Sequence, residues 1–221
     1  MPGIKLVIFD LDGTLVDAYR AIRSSFNYTM CKLGLKPRGP ETIRRSVGWG
    51  DSNLLKPYTP PDKLSMALKM YRRHHKKSLV LLSRLYPYAG KLLNFLKSRG
   101  YKLAVASNRP SKFSFILLKH LGIAGFFDCV VCADQLERGK PDPQILNEIV
   151  KRLGIRKCHA LYVGDMVIDA QAGRRAGIKT IVITGGSSPA AELKRERPFK
   201  VCSGLDRLLK LFRKIPGPVS P

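Results

Sequence analysis

Five short apolar runs, spaced by stretches of helical length, constrain this chain more than any other feature. They are Leu6-Val7-Ile8-Phe9, Leu103-Ala104-Val105-Ala106, Cys129-Val130-Val131-Cys132, Ala160-Leu161-Tyr162-Val163 and Thr180-Ile181-Val182-Ile183. A continuous run without polar alternation fits a strand buried on both faces, as in parallel sheets. Amphipathic stretches at 89–99, 111–121, 142–153 and 167–176 lie between the runs. Pro141 and Pro143 open the third, and Gly100, Gly122, Gly154 and Gly177 follow the four ends, as helix starts and stops should. Strand-helix alternation implies right-handed crossovers and an open α/β sheet with helices on both faces.

The rhythm breaks between residues 17 and 85, where no strand is evident. Ala21, Ile22, Phe26, Met30 and Leu33 have helical spacing within 17–34, and Leu64, Ala67, Leu68 and Tyr71 share a face within 61–80. The expected architecture is therefore a Rossmann-like, three-layer parallel-sheet core, residues 1–16 and 86–214, with an all-helical cap inserted at 17–85. A last helix is expected at 203–213 with Ser203 as N-cap, and 215–221 as a flexible tail.

Ligands of open α/β sheets collect at the carboxyl ends of the strands. The first run ends in Asp10-Leu11-Asp12-Gly13-Thr14, the second in Ser107-Asn108, and the fourth in Gly164-Asp165-Met166-Val167-Ile168-Asp169. Gly139-Lys140-Pro141-Asp142-Pro143 precedes the third helix. Each piece alone reads blandly, as a turn, a cap or a solvated charge. Together they converge on one sheet edge. Asp10, Asp12, Asp165 and Asp169 would repel one another there. A hard divalent cation resolves this, and an all-oxygen donor set points to Mg²⁺. With Lys140 adding a further positive charge, a phosphoryl dianion can enter and a carboxylate can attack it.

Composition bounds the rest. Forty Lys+Arg against 16 Asp+Glu give 221 residues a formal charge of +24, which favours polyanions or phosphorylated small molecules. No apolar stretch approaches the about 20 residues of a membrane span, and no secretory signal is evident. Five scattered cysteines read as reduced thiols in a cytosol. Cys129 and Cys132, three apart on a strand, point to opposite faces and read as core thiols rather than a redox pair.

From Ile4 to about Phe212 the chain resembles the haloacid dehalogenase-like superfamily of aspartate-nucleophile hydrolases, in its phosphoglycolate phosphatase-like branch. The resemblance rests on Phe9-Asp10-Leu11-Asp12-Gly13-Thr14-Leu15-Val16-Asp17, on Gly164 to Asp169, and on Gly139 to Pro143. It implies that Asp10 is the nucleophile and a Mg²⁺ ligand. Asp12 would protonate the leaving oxygen and then activate water, its backbone carbonyl also binding the metal. Thr14, Ser107, Asn108 and Lys140 would form the phosphate-binding set, Thr14 by its position also helping to orient Asp12 or the hinge. Asp165 and Asp169 would complete the metal shell, which of them directly being open. An acid two residues after the nucleophile suits ester hydrolysis rather than dehalogenation. Tyr19-Arg20, where phosphomutase relatives carry a His, weighs against a mutase.

The cap would choose the substrate. Arg44 or Arg45 could bind a second anion and Trp49 could stack on a base or sugar, although the plainer expectation is a core Trp and solvated arginines. Arg72-Arg73-His74-His75-Lys76-Lys77 reads as a solvated helix face, since adjacent histidines diverge on a helix. The reading is thus a Mg²⁺-dependent phosphatase of a small metabolite, phosphoglycolate-like by resemblance. Alternatives are a pyrophosphatase, a sugar-phosphate or nucleotide phosphatase, a β-phosphoglucomutase-like enzyme, or a basic nucleic-acid-binding protein on the same scaffold. Residues 15–87 carry 15 Lys+Arg and only 4 Asp+Glu, so a basic cap is expected to steer anions to the cleft. Oligomeric state has no signature in the sequence.

Overall fold

The structure, a computed structural model, describes residues 3–215, 217 and 218. The first strand, β1 (Leu6–Phe9), is followed by a two-residue strand, β2 (Val16–Asp17). Four helices come next: α1 (Tyr19–Lys32), α2 (Pro40–Ser46), α3 (Asp51–Leu55) and α4 (Leu64–Leu82). A second two-residue strand, β3 (Arg84–Leu85), leads to α5 (Ala89–Ser98), β4 (Lys102–Ser107), α6 (Ser111–His120), β5 (Cys129–Cys132) and α7 (Gln144–Arg152). The chain ends with β6 (Ala160–Gly164), α8 (Val167–Ala176), β7 (Lys179–Ile183), α9 (Ala190–Arg195), β8 (Lys200–Cys202) and α10 (Leu205–Arg213).

All five apolar runs are strands of one six-stranded sheet, ordered β5-β4-β1-β6-β7-β8 and parallel at every pairing. The four residues of β1 have no solvent exposure. Val7 and Phe9 join the apolar cluster on one face; Leu6 and Ile8 join that on the other. This two-sided burial is what an unbroken apolar run encodes. Chain order reverses around β1, with β4 on one side and β6 on the other. The carboxyl ends of these strands therefore meet at the switch point where such sheets bind ligands.

The helices of 19–82 share a continuous apolar cluster with one sheet face, through Ile22, Phe26, Met30 and Leu79 beside Val7, Phe9 and Val105. Their stretch is bracketed by an antiparallel ribbon, Val16 opposite Leu85 and Asp17 opposite Arg84. That ribbon straddles the expected boundaries near 17 and 85, so the stretch is not wholly helical at its edges. Four further elements were not anticipated: α2, α3, α9 and β8. They run three to seven residues each, too short to display a hydrophobic period. The N-cap of α10 is Gly204, without a side-chain cap bond, rather than Ser203. Cys129 is half-buried and Cys132 buried, and all five thiols are free. Residues 216 and 219–221 of the expected tail lie outside the described residues. No helix among the described residues is long and apolar enough to cross a membrane.

Candidate active site

Asp10 follows β1 directly, and its N–H donates to Val163 O at 2.9 Å, extending the β1–β6 ladder by one step. The ladder thus aims the first carboxylate. Just beyond it, Gly13 N–H donates to Val16 O at 2.9 Å in a turn where Gly13 has φ +91°. A side chain there would be strained, and a Cβ would stand 2.3 Å from Asp165 Oδ2. The glycine lets this turn press against the end of β6.

Asp10, Asp165 and Asp169 converge, each offering one oxygen within 4.8 Å of the others, and all three are buried. Lys140 Nζ donates among them, to Asp10 Oδ1 at 2.5 Å and Asp169 Oδ1 at 2.9 Å, and also contacts Tyr162 Oη at 3.0 Å and Ala106 O at 3.1 Å. Three carboxylates thus face one ammonium. Burial, opposed by Lys140 and reinforced by Asp169 and Asp12, pushes Asp10 up to about 7. Burial, with the charges of Asp10 and Asp169, raises Asp165 well above the ordinary carboxylate range. Burial alone would lower Lys140, but Asp10 and Asp169 outweigh it and hold the ammonium charged. The cluster lacks positive charge, and an all-oxygen donor set of this kind fits a hard divalent cation.

Hydrogen-bond occupancy separates the two later aspartates. Asp169 Oδ1 accepts from Lys140 and from Tyr162 Oη at 2.6 Å. Its Oδ2 accepts from the N–H groups of Asp165 and Met166 at 3.1 and 2.9 Å. Both of its oxygens are filled. Asp165 accepts one bond on each, from Thr14 Oγ1 at 2.9 Å and from Ser187 N–H at 2.7 Å, which leaves a lone pair on each for a cation. Thr14 Oγ1 therefore donates to Asp165 rather than to Asp12, and Thr14 is outside the pocket lining. Gly186 packs so closely that a Cβ would lie 2.0 Å from Asp165 Oδ2.

Ser107 ends β4 with its Oγ accepting from Arg109 N–H at 3.2 Å. Asn108 is a strut: its Oδ1 accepts Lys140 N–H at 2.8 Å, and its Nδ2 donates to Lys140 O and Gly48 O at 2.9 Å. Asp12 is gripped by Arg109, which was not anticipated. Arg109 Nε meets Asp12 Oδ2 at 2.9 Å and Nη2 meets Oδ1 at 2.6 Å. Its Nη1 reaches His75 Nε2 at 2.8 Å. His75 on α4 is 2% exposed, so the basic run 72–77 is not a wholly solvated face. Burial and the Arg109 charge push His75 down to about 2. It is neutral, and Nε2 accepts from Arg109.

These groups line a half-open pocket of about 490 Å³, open solvent at its mouth included, with Asp10, Asp12, Ser107 and Arg109 on one side and Val47, Gly48, Tyr71 and His75 on the other. The loop after α2 does face the site, but through Val47, Gly48 and Gly50. Trp49 is 43% exposed and outside the cavity lining. It is neither a stacking platform there nor a core residue. Arg45 is exposed and pairs with Glu41. Arg44 lies over the Tyr19 ring at 4.8 Å and donates to the carbonyls of Gly185 and, at 2.9 Å, Gly186.

A buried carboxylate cluster around one lysine, at the switch point of a parallel sheet, agrees with what the chain matches. Residues 7–183 match the family model of haloacid dehalogenase-like hydrolases, and the chain belongs to that family. It is an enzyme of the family's phosphatase kind. It is 33% identical over 213 residues to a phosphoglycolate phosphatase of Aquifex aeolicus, covering 95% of this chain and 100% of the relative. It is 32% identical to one from Nitrosospira multiformis, at 96% coverage of each. Its fold superposes with a TM-score of 0.89 on a predicted phosphoglycolate phosphatase from Haemophilus somnus, 26% identical, over 96% of this chain and 99% of the other.

Proposed function

We propose that this protein hydrolyses the phosphate monoester of a small metabolite of the phosphoglycolate type, through an aspartyl-phosphate on Asp10. The observation that carries this is the Asp10–Lys140–Asp169 arrangement behind a half-open pocket that Asp10 and Asp12 line. Asp10 Oδ1 is held by Lys140, so its other oxygen can be aimed at phosphorus. Attack forms the Asp10–phosphoryl bond and breaks the ester bond, and the leaving oxygen takes a proton from Asp12. Water, its proton taken by Asp12, then cleaves the aspartyl-phosphate. Lys140, Ser107 and the Asn108 N–H balance the phosphoryl charge. Asp10 and Asp165, with the Asp12 backbone carbonyl, would hold Mg²⁺, which would supply electrostatic stabilisation of the phosphoryl group. Asp169, filled by four donors, acts by holding Lys140. Residues 17–85 are read as the cap over the catalytic core, the β2–β3 ribbon joining the two. A cytosolic location is supported by the five free thiols. The cavity suits a small ligand rather than a polymer.

The test is a panel of phosphorylated metabolites with Mg²⁺ and with EDTA. Turnover is expected to be highest with phosphoglycolate and to fall to background on chelation. Activity undiminished in EDTA would remove the metal from the reading.

A second expectation concerns Gly186→Ala. A methyl 2.0 Å from Asp165 Oδ2 forces that carboxylate or the 185–187 loop aside. Displaced groups next to metal ligands commonly cost roughly 10–100-fold in metal affinity. The Mg²⁺ concentration for half-maximal turnover should rise by that factor, with kcat at saturating Mg²⁺ much less affected.

A further inference from the structure

Arg109 lines the pocket, and no other cationic side chain among the described residues does. The other ionic groups there are Asp10, Asp12 and Asp51. Asp51 is taken by Arg72 at 2.7 Å, and Asp10 by Lys140. Arg109 is buried and spends its whole fork inside the molecule, two N–H groups on the two Asp12 oxygens and a third on His75. His75 is itself fixed. Its Nδ1 lies 3.1 Å from Ser25 Oγ, which donates to Ala21 O at 2.9 Å. Its ring stacks on Tyr71 at 4.8 Å and meets the edge of Phe113 at 5.5 Å. The guanidinium thus bridges the loop after β1 to α4 and α1.

This arrangement conflicts with the work asked of Asp12. An acid that protonates a leaving oxygen must present a carboxyl oxygen to it within hydrogen-bond reach. Here both Asp12 oxygens face the guanidinium. Each Asp12 oxygen keeps a second lone pair, but a carboxyl that hands a proton to the leaving oxygen must turn away from the guanidinium, which then needs another anion. With Lys140, Ser107 and the Asn108 N–H on the phosphoryl group in the reading above, the anion left for Arg109 is one carried by the leaving group. Resting on the phosphatase reading above, we propose that Arg109 is a positioning and specificity-determining residue. It holds Asp12 away from the reaction in the free enzyme and releases it when an anionic group on the leaving group takes the guanidinium fork.

A forked guanidinium pairs equally well with planar carboxylate or with phosphate oxygens, so the shared chemistry is an anionic oxygen group near the ester oxygen. A substrate lacking that group leaves Arg109 on Asp12. The enzyme would then bind it and turn it over slowly, the defect falling mainly on kcat.

The test compares three substrates with Mg²⁺: phosphoglycolate, ethylene glycol bisphosphate, and the uncharged analogue 2-hydroxyethyl phosphate. In the wild-type enzyme at least one anionic substrate should exceed the uncharged one by roughly 100-fold or more in kcat/KM, and the better of the two identifies the anion. Equal rates would overturn the proposal without needing any variant. In Arg109→Met the ratio should collapse to within about threefold, chiefly through kcat. In Arg109→Lys, which keeps the charge and loses the fork, it should lie between. A variant folded by its thermal melt that kept the wild-type ratio would show Arg109 to be structural and sink the idea. Wild-type turnover of p-nitrophenyl phosphate, whose leaving group needs little protonation, tests the parent reading separately. If that is absent, the phosphatase reading has failed; if it is present without anion preference, only the role of Arg109 has.

Discussion

Asp10→Asn is expected to lose turnover by roughly four or more orders of magnitude, because it removes the group to which the proposed mechanism gives the covalent bond. The amide can still accept from Lys140 at the Oδ1 position, now 2.5 Å away, so the surrounding geometry has no reason to collapse. The stability expectation even runs the other way. Asp10 sits buried among Asp165 and Asp169, and burial is the largest influence raising it, with Asp169 adding to it. Removing one of three crowded carboxylates lowers their mutual repulsion, so in metal-free buffer Tm should stay level or rise. Adding Mg²⁺ should stabilise this variant less than the wild type, since a proposed ligand of the cation is gone. Steady-state assay and paired thermal melts check both halves. A variant retaining more than about 1% of wild-type turnover would show that the phosphoryl group is attacked by something other than Asp10. A variant that is inactive and also unfolded would not distinguish chemistry from folding, which is why the melt belongs in the experiment.

The distribution of what could be read from the chain follows from physics. The buried strands announce themselves because burial on both faces leaves no charged residue in Leu6–Phe9 or Ala160–Gly164, Tyr162 being the one side chain there with a polar tip. The acidic cluster was legible because Asp10, Asp165 and Asp169 stand at or just past strand ends, and parallel order sends those ends to one place. The short elements were illegible for the converse reason. Two residues in β2 or three in β8 hold no period at all.

Arg109 and His75 were missed for a different cause. An arginine beside a helix start and a histidine in a basic run carry no local sign of burial. Only the packing of α4 against α1 and α6 turns His75 inward, while His74, one residue away, stacks outside on Tyr28 at 4.2 Å. Trp49 errs in the opposite direction. A lone Trp is expected to be buried or to serve a ligand, yet Gly48 and Gly50, with φ of 99° and 86°, bend the loop so that backbone faces the cavity. Asn108 Nδ2 bonds Gly48 O there, and Met166 lies where a Gly48 side chain would be. The glycines serve the close approach, and Trp49 is left outside.

The largest expected effect on stability lies at Lys140. Its side chain is 2% exposed and its ammonium meets Asp10 and Asp169, themselves 9% and 1% exposed. In Lys140→Met both carboxylates stay in place and lose their only cation among the described residues. Removing one partner of a buried ion pair typically costs about 3–5 kcal/mol, because an uncompensated charge remains. For a chain of this size that corresponds to a fall in Tm of roughly 6–20 °C. Activity should vanish as well, since Lys140 holds Asp10 and, in the proposed mechanism, offsets phosphoryl charge. The two losses should respond differently to Mg²⁺. A cation held by Asp10 and Asp165, as proposed, would replace part of the missing positive charge, so Mg²⁺ should recover more Tm in Lys140→Met than it adds to the wild type. It cannot supply the hydrogen bonds that Lys140 Nζ makes to Asp10, Asp169, Ala106 O and Tyr162 Oη, so turnover should not return. Melts across a Mg²⁺ titration decide the matter. If Mg²⁺ stabilised variant and wild type equally, the lysine and the cation would not be sharing one electrostatic task, and the cation would have to bind away from Asp10.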